Sequence, residues 1–312
     1  PTVRPARAVS RQAAGVRVLY EPLPPEHEDP STLPPTAPAA GAGPASGDWY
    51  DVRVGAGVIV AQLADVANKG ATAAPGSAAV HAACASFDQG TAGPLLAQLE
   101  RATDDDDVVR ILHEYHEHLR QRLPAELFVT FQIAVLDTRR RTIYGLNAGN
   151  PLDTAILDGT GAPMSPPKKS QQPVQMFGAQ WAPVTRKAFK AAVLIQPMPD
   201  TGGLLVLPTD GAYGSYVRKR NVLVDGKVKD VDTIEMSLAA AHRGLGADGL
   251  LAAATDTMRG WIRTARGSPS DRDDATAILV RMPPRPGAPK PAPTAAGLRE
   301  LGPWMTQGAL DA

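Results

Sequence analysis

Proline is crowded into two short stretches, and these mark where the chain can form neither a long helix nor a central strand. Eight prolines lie between Pro22 and Pro44, and six lie between Pro283 and Pro293. Proline fixes φ and donates no backbone N–H, so neither stretch can form a central strand or a long helix. The first, over 22–45, is expected as a loop between two strands. The second opens a tail over 283–312 that leaves the domain, with room for a short terminal helix over 295–310. One folded domain over 15–282 is therefore expected, preceded by an extension over 1–14.

Outside those stretches the pattern is mixed. Residues 16–20 alternate as a strand does, and 48–54 and 58–65 flank Gly55 and Gly57 as the arms of a hairpin. Alanine-rich sequence over 71–85 predicts a helix, and 95–102 and 108–123 predict two more. Strands are then expected over 128–136, 142–147, 154–157, 191–196 and 204–207. Helices over 233–243 and 248–266 and a last strand over 276–281 complete the reading. Strands grouped with strands, and helices with helices, argue for an α+β sandwich rather than a βαβ repeat.

Charge and cysteine usage narrow the function classes. Lys+Arg and Asp+Glu balance at 32 each, so no overall field draws the chain to nucleic acid or an anionic membrane. No apolar run approaches the roughly 20 residues that span a bilayer. The lone Cys84 excludes an internal disulfide framework and fits a reducing cytoplasm, where the protein is expected to work. It lies in the alanine-rich helix and is expected as a small buried residue. The chain opens on Pro1 rather than methionine, which leaves room for sensor or kinase modules upstream.

Aspartate marks four places where a strand meets a loop or turn: Gly47-Asp48-Trp49-Tyr50-Asp51, Ala64-Asp65-Val66-Ala67-Asn68-Lys69-Gly70, Thr209-Asp210-Gly211 and Asp273-Asp274-Ala275-Thr276. Taken singly, each reads as a turn or cap, a role aspartate fills well. Strand ends of a sandwich share a rim, however, so carboxylates distant in sequence can meet there. Clustered carboxylates repel, and hard divalent cations that want oxygen ligands relieve that repulsion.

In their order, these motifs resemble the protein phosphatase 2C (PPM) superfamily. More narrowly, they are similar to its bacterial branch, which holds the stage II sporulation protein E domain and the phosphatases of sigma-factor partner switching. Phe128-Val129-Thr130, Val135-Leu136-Asp137 and Leu146-Asn147-Ala148-Gly149 match that branch's central strands, and the resemblance covers about 15–282. It implies a four-layer α/β/β/α sandwich of two mostly antiparallel sheets. It also implies a phosphoserine/phosphothreonine phosphatase using two Mn²⁺ or Mg²⁺ ions. Asp65 would bridge the ions, with the backbone carbonyl of Val66 as a further ligand. Asp210 and Asp273 would complete the site, and Asp48 would bind directly or through a water. Asp48 and Asp65 are the expected catalytic carboxylates. Asp51 and Asp274 complete the motifs, with support of the ligands and an extra metal both open to them. The implied substrate is a phosphorylated protein of the anti-anti-sigma type.

Three positions depart from the branch's pattern. Ala67 stands where many eukaryotic relatives carry a histidine that protonates the leaving group, as is common in the bacterial branch. Ser46 replaces one of two glycines before the first aspartate, and Asn150 replaces the histidine of Asn-Ala-Gly-His. No expected carboxylate is missing. A relative that binds a phosphoprotein without turnover usually lacks one, so the full count favours activity. An unrelated α+β binding protein would make the ordered motifs coincidence.

Other motifs read as scaffold. His113, His116 and His118 lack the spacing of a metalloprotease helix. Val108, Leu112, Tyr115 and Leu119 form the expected apolar seam of that helix, which leaves His113, Glu117 and His118 on the solvated side. Asp104–107 are expected to cap its N-terminus rather than bind calcium. Gly55-Ala56-Gly57 lacks the following helix that a dinucleotide site requires. Arg218-Lys219-Arg220 is expected as a solvated turn.

Overall fold

Alternation of side chains along the strands decides the layering. The computed structural model describes residues 15–21, 46–67, 73–150, 154–164, 193–212, 223–224, 227–228, 245–266 and 274–288, together with Leu238 and His242. In β3 (Val58–Val66), Val58, Val60, Ala64 and Val66 point one way and Ile59, Ala61 and Leu63 the other. The first set packs beneath α1 (Ala74–Asp88), α2 (Leu95–Arg101) and α3 (Asp105–Arg122). The second set meets Leu205 and Leu207 of β8 (Gly203–Pro208) and Ile278 and Val280 of β11 (Ala275–Met282). The far faces of those two strands carry Leu204, Val206, Ala277 and Leu279, which α4 (Gly246–Arg266) covers. Three apolar cores thus separate four layers, the α/β/β/α sandwich that the family resemblance implied. Each Leu, Ile or Val buried in these cores contributes roughly 1.5–3 kcal/mol relative to exposure.

One sheet runs β2 (Asp48–Val54), β3, β4 (Val129–Asp137), β5 (Thr142–Ala148), β7 (Val193–Pro197). The other runs β1 (Val16–Glu21), β11, β8, β6 (Ala155–Asp158). Every neighbouring pair is antiparallel. A two-stranded ribbon, β9 (Leu223–Val224) with β10 (Lys227–Val228), was not expected from the sequence, because two-residue strands carry no usable alternation. The expected loop over 22–45, most of the helix over 233–243, the basic turn over 218–220 and the terminal helix over 295–310 lie outside the described residues.

The helical layer follows its sequence signals. Proline opens α1, and Gly76 in its first turn lies so close to β3 that a Cβ there would stand 2.5 Å from Val66 Cγ1. The start of α1 is thereby pressed onto the end of β3 that carries Asp65. Asp104 caps α3, its carboxylate accepting the Asp107 N–H at 2.9 Å. Cys84 is buried, and burial pushes its thiol up to about 12, which suits packing rather than reactivity. The expected seam of α3 is buried, and His118 is half-buried rather than fully solvated. Its Nε2 lies 2.7 Å from Ser86 Oγ and its ring packs edge-on against Phe87 of α1. The packing of α1 on α3 reaches beyond the seam and partly covers the histidine.

His116, also on α3, is 6% exposed, and burial lowers its imidazole to about 4. It is therefore neutral in the folded protein near neutrality, whereas the unfolded chain takes up a proton near pH 6.5. Its contribution is fully present above about pH 6.5 and is lost as pH falls toward about 4. Urea denaturation at pH 7 and pH 5 is expected to show the wild type losing about 1–2 kcal/mol more than His116→Leu over that interval. Equal losses would remove His116 as the cause.

Candidate functional site

The site is assembled by strand register. Asp48, the first residue of β2, stands directly opposite Asp65, the penultimate residue of β3. Thr130 of β4 stands opposite Asp65 on its other side. Directly opposed residues of an antiparallel pair share a face, with Cβ atoms about 4.5–5.5 Å apart. Asp48, Asp65 and Thr130 therefore form a row across three strands, on the face that also carries Tyr50, Leu63 and Ala134 toward the second sheet.

The second sheet answers with two threonines. Thr276 Oγ1 donates to Asp48 Oδ2 at 2.6 Å, and Thr209 Oγ1 lies 3.1 Å from the same oxygen. Thr209 Oγ1 also accepts the Thr276 N–H at 2.9 Å, while the Thr209 N–H donates to the Thr276 carbonyl at 2.8 Å. One carboxylate from the first sheet is thus held by two hydroxyls of the other. Asp48 is 6% exposed, and burial raises its carboxyl well above the ordinary carboxylate range. Asp65 and Asp274 push the same way, against the hydrogen bonds from Thr276 and Thr209.

Of the residues singled out from sequence, Asp48 and Asp65 stand side by side, and Val66 follows Asp65 at the end of β3. Asp210 is half-buried and directly follows the Thr209 that holds Asp48. Asp273 lies outside the described residues. Its neighbour Asp274 is buried and accepts the Gly47 N–H on Oδ2 at 2.8 Å, bracing the turn that delivers Asp48. Asp51 sits three residues beyond Asp48 and so faces the helices, where it pairs with Arg53 at 2.5 Å. Strand parity excludes it from the Asp48–Asp65 row, which leaves it a scaffold role. Among the described residues, no group of three or more His, Cys, Asp and Glu is arranged to hold a metal ion.

Two of the unusual positions have structural roles. Ser46 Oγ accepts the Asp48 N–H at 3.0 Å, and the Ser46 carbonyl accepts the Ser77 hydroxyl of α1 at 2.9 Å. A second glycine in its place would lose the first of these contacts. Asn150 is buried and its Nδ2 donates to the Pro208 carbonyl at 3.3 Å, while its N–H donates to Asn147 Oδ1 at 3.0 Å. It ties the turn after β5 to the residue before Thr209.

Thr130, Thr209 and Thr276 stand in the site although the sequence motifs point to the aspartates alone. The signal was available in parity: Thr276 shares the face of Ile278 and Val280, and Thr209 that of Leu205 and Leu207. Thr130 Oγ1 differs from the other two, being buried without a hydrogen-bond partner. The donor set here is entirely oxygen, carrying charge that repels itself and a spare hydroxyl beside it. That chemistry fits a hard divalent cation.

The sequence model of the family described as Stage II sporulation protein E (SpoIIE) matches residues 55–283. Comparison with curated proteins gives no match. Among solved structures, the PP2C phosphatase domain with a fragment of the regulatory domain of SpoIIE from Bacillus subtilis is similar at a TM-score of 0.53 and 18% identity, over 86% of this chain and 62% of that one. The RsbU and RsbW domains of a Mycobacterium tuberculosis protein follow at 0.52 and 16%, over 88% and 62%. The SiaA-PP2C domain of Pseudomonas aeruginosa gives 0.52 and 15%, over 89% and 90%. The chain spans 62% of the length of the first two. At these identities the likeness is one of fold, and the two-sheet sandwich with flanking helices is the PP2C phosphatase fold.

Proposed function

We propose that this chain, which belongs to the stage II sporulation protein E family, is a metal-dependent protein serine/threonine phosphatase. The observation that supports this most is the direct pairing of Asp48 with Asp65 at a rim where Thr209 and Thr276 also converge. Asp65, the Val66 carbonyl, Asp210 and Asp273 would hold two divalent cations, with Asp48 binding directly or through a water. All are oxygen donors, the set that Mg²⁺ and Mn²⁺ take. When bound, the cations supply Lewis-acid activation of a water for in-line attack on phosphorus and neutralise oxygens that gain charge.

The chain's own residues set the terms of that chemistry. Thr209 and Thr276 fix one oxygen of Asp48, so its carboxylate cannot rotate freely. Ser46 and Asp274 hold the turn before it from either side. Gly76 lets α1 close on Val66 and fixes the end of β3. Ala67 offers no acid for the leaving serine or threonine oxygen, so solvent protonates it.

The phosphatase domain is taken as 15–282, with 1–14 preceding it and a proline-rich tail over 283–312. Its substrate would be a phosphorylated protein of the anti-anti-sigma type, in a bacterial partner-switching pathway of the cytoplasm. The similar Mycobacterium tuberculosis structure holds an RsbU and an RsbW domain together, in keeping with a protein partner. No described helix is long and apolar enough to cross a membrane. Phosphate release from phosphoserine and phosphothreonine peptides in Mn²⁺ tests the reading. Release well above background is expected, and none from either peptide would contradict it.

A further inference from the structure

We propose that Thr130 is a positioning residue of this centre, its hydroxyl donating to the Asp65 carboxylate when a divalent cation is bound. The inference rests on the phosphatase reading above and goes beyond its ligand set. Register places Thr130 directly opposite Asp65, on the face that Asp65 shares with Asp48. The residue is 6% exposed, and its Oγ1 is buried with no hydrogen-bond partner.

A buried hydroxyl without a partner lowers stability, because the bonds it made to water in the unfolded chain are not replaced. Valine has the same shape, is at least as good a strand former, and already stands at Val129 beside it. The other two threonines of the rim, Thr209 and Thr276, both direct their hydroxyls at Asp48. Among the three described threonines, Thr130 is the one whose hydroxyl has no partner, and Asp65 stands directly opposite it. A carboxylate that ligates a cation needs its remaining lone pairs fixed, and a neutral hydroxyl does this without competing for charge. Such outer-shell donors set ligand orientation, and their loss typically weakens metal affinity about 10–100-fold.

The test compares wild type, Thr130→Val and Thr130→Ser as full chains. Mn²⁺ affinity is measured by calorimetry, and the metal-free melting midpoint is measured alongside. Thr130→Val should bind Mn²⁺ about tenfold or more weakly, with a metal-free midpoint equal to or above wild type. Thr130→Ser restores the hydroxyl and should bind Mn²⁺ nearly as wild type does. A purely structural threonine would give the opposite pattern, a lower midpoint with unchanged affinity. Unchanged affinity in Thr130→Val, with wild type binding normally, overturns the role of Thr130 and leaves the phosphatase reading standing. A Thr130→Val chain that melts lower or fails to fold also overturns it, since the hydroxyl would then serve the metal-free fold. A wild type that binds no Mn²⁺ overturns both.

Discussion

Asp65→Asn is expected to lower phosphatase turnover on the order of 10²–10³-fold, far more than Asp51→Asn. Both changes replace one carboxylate oxygen by an amide on a strand near the same rim. Asp65 lies between Asp48 and Thr130 on the inter-sheet face. Two dications held by this row would repel each other, and an amide does not supply the negative charge that offsets this. Asp51 faces the helices and is paired with Arg53, so its loss weakens a half-buried ion pair and leaves the ligand row intact. Folding should survive in Asp65→Asn. The metal-free midpoint should hold or rise, because Asp48 and Asp65 repel each other without a cation. Rates and midpoints of the two variants, measured side by side, separate loss of chemistry from loss of fold. Near-normal turnover in Asp65→Asn would refute the bridging role.

The second large effect is on stability. Thr209→Val keeps the shape of the side chain but leaves the Thr276 N–H without its acceptor and Asp48 with one hydroxyl fewer. Both groups are buried, so neither can recover its loss from solvent. A destabilisation of about 2–4 kcal/mol is expected, read from the urea midpoint at unchanged m-value. Asp48→Asn should differ in kind. It relieves the repulsion with Asp65 and keeps an acceptor for Thr276, so stability should change little while Mn²⁺ affinity falls. Equal destabilisation by the two changes would mean that Asp48 serves only as an inter-sheet tie.

Much of the layering was legible because most strands alternate or run apolar over five or more residues. β2 is the clearest case, its 48–54 span ending at Gly55 both in sequence and in structure. The aspartates were legible for a related reason, since each ends or begins such a strand. What the sequence did not show was which face each carboxylate takes relative to the second sheet. Asp48 and Asp51 look equivalent within Gly-Asp-Trp-Tyr-Asp, yet the odd spacing between them puts them on opposite faces. Nor did it show that Thr209 and Thr276, 67 residues apart, share a hydrogen bond. Such pairing depends on register between strands, which no local pattern encodes. His118 shows the same limit in a helix. Its exposure depended on how α1 and α3 pack, and its own spacing did not reveal that.

The most direct test is hydrolysis of a small aryl phosphate by the purified chain, with Mn²⁺ and then with excess EDTA. Turnover that appears with Mn²⁺, disappears with chelator and returns when Mn²⁺ is restored is the expected result. Equal rates in Mn²⁺ and in excess EDTA would contradict the two-metal assignment.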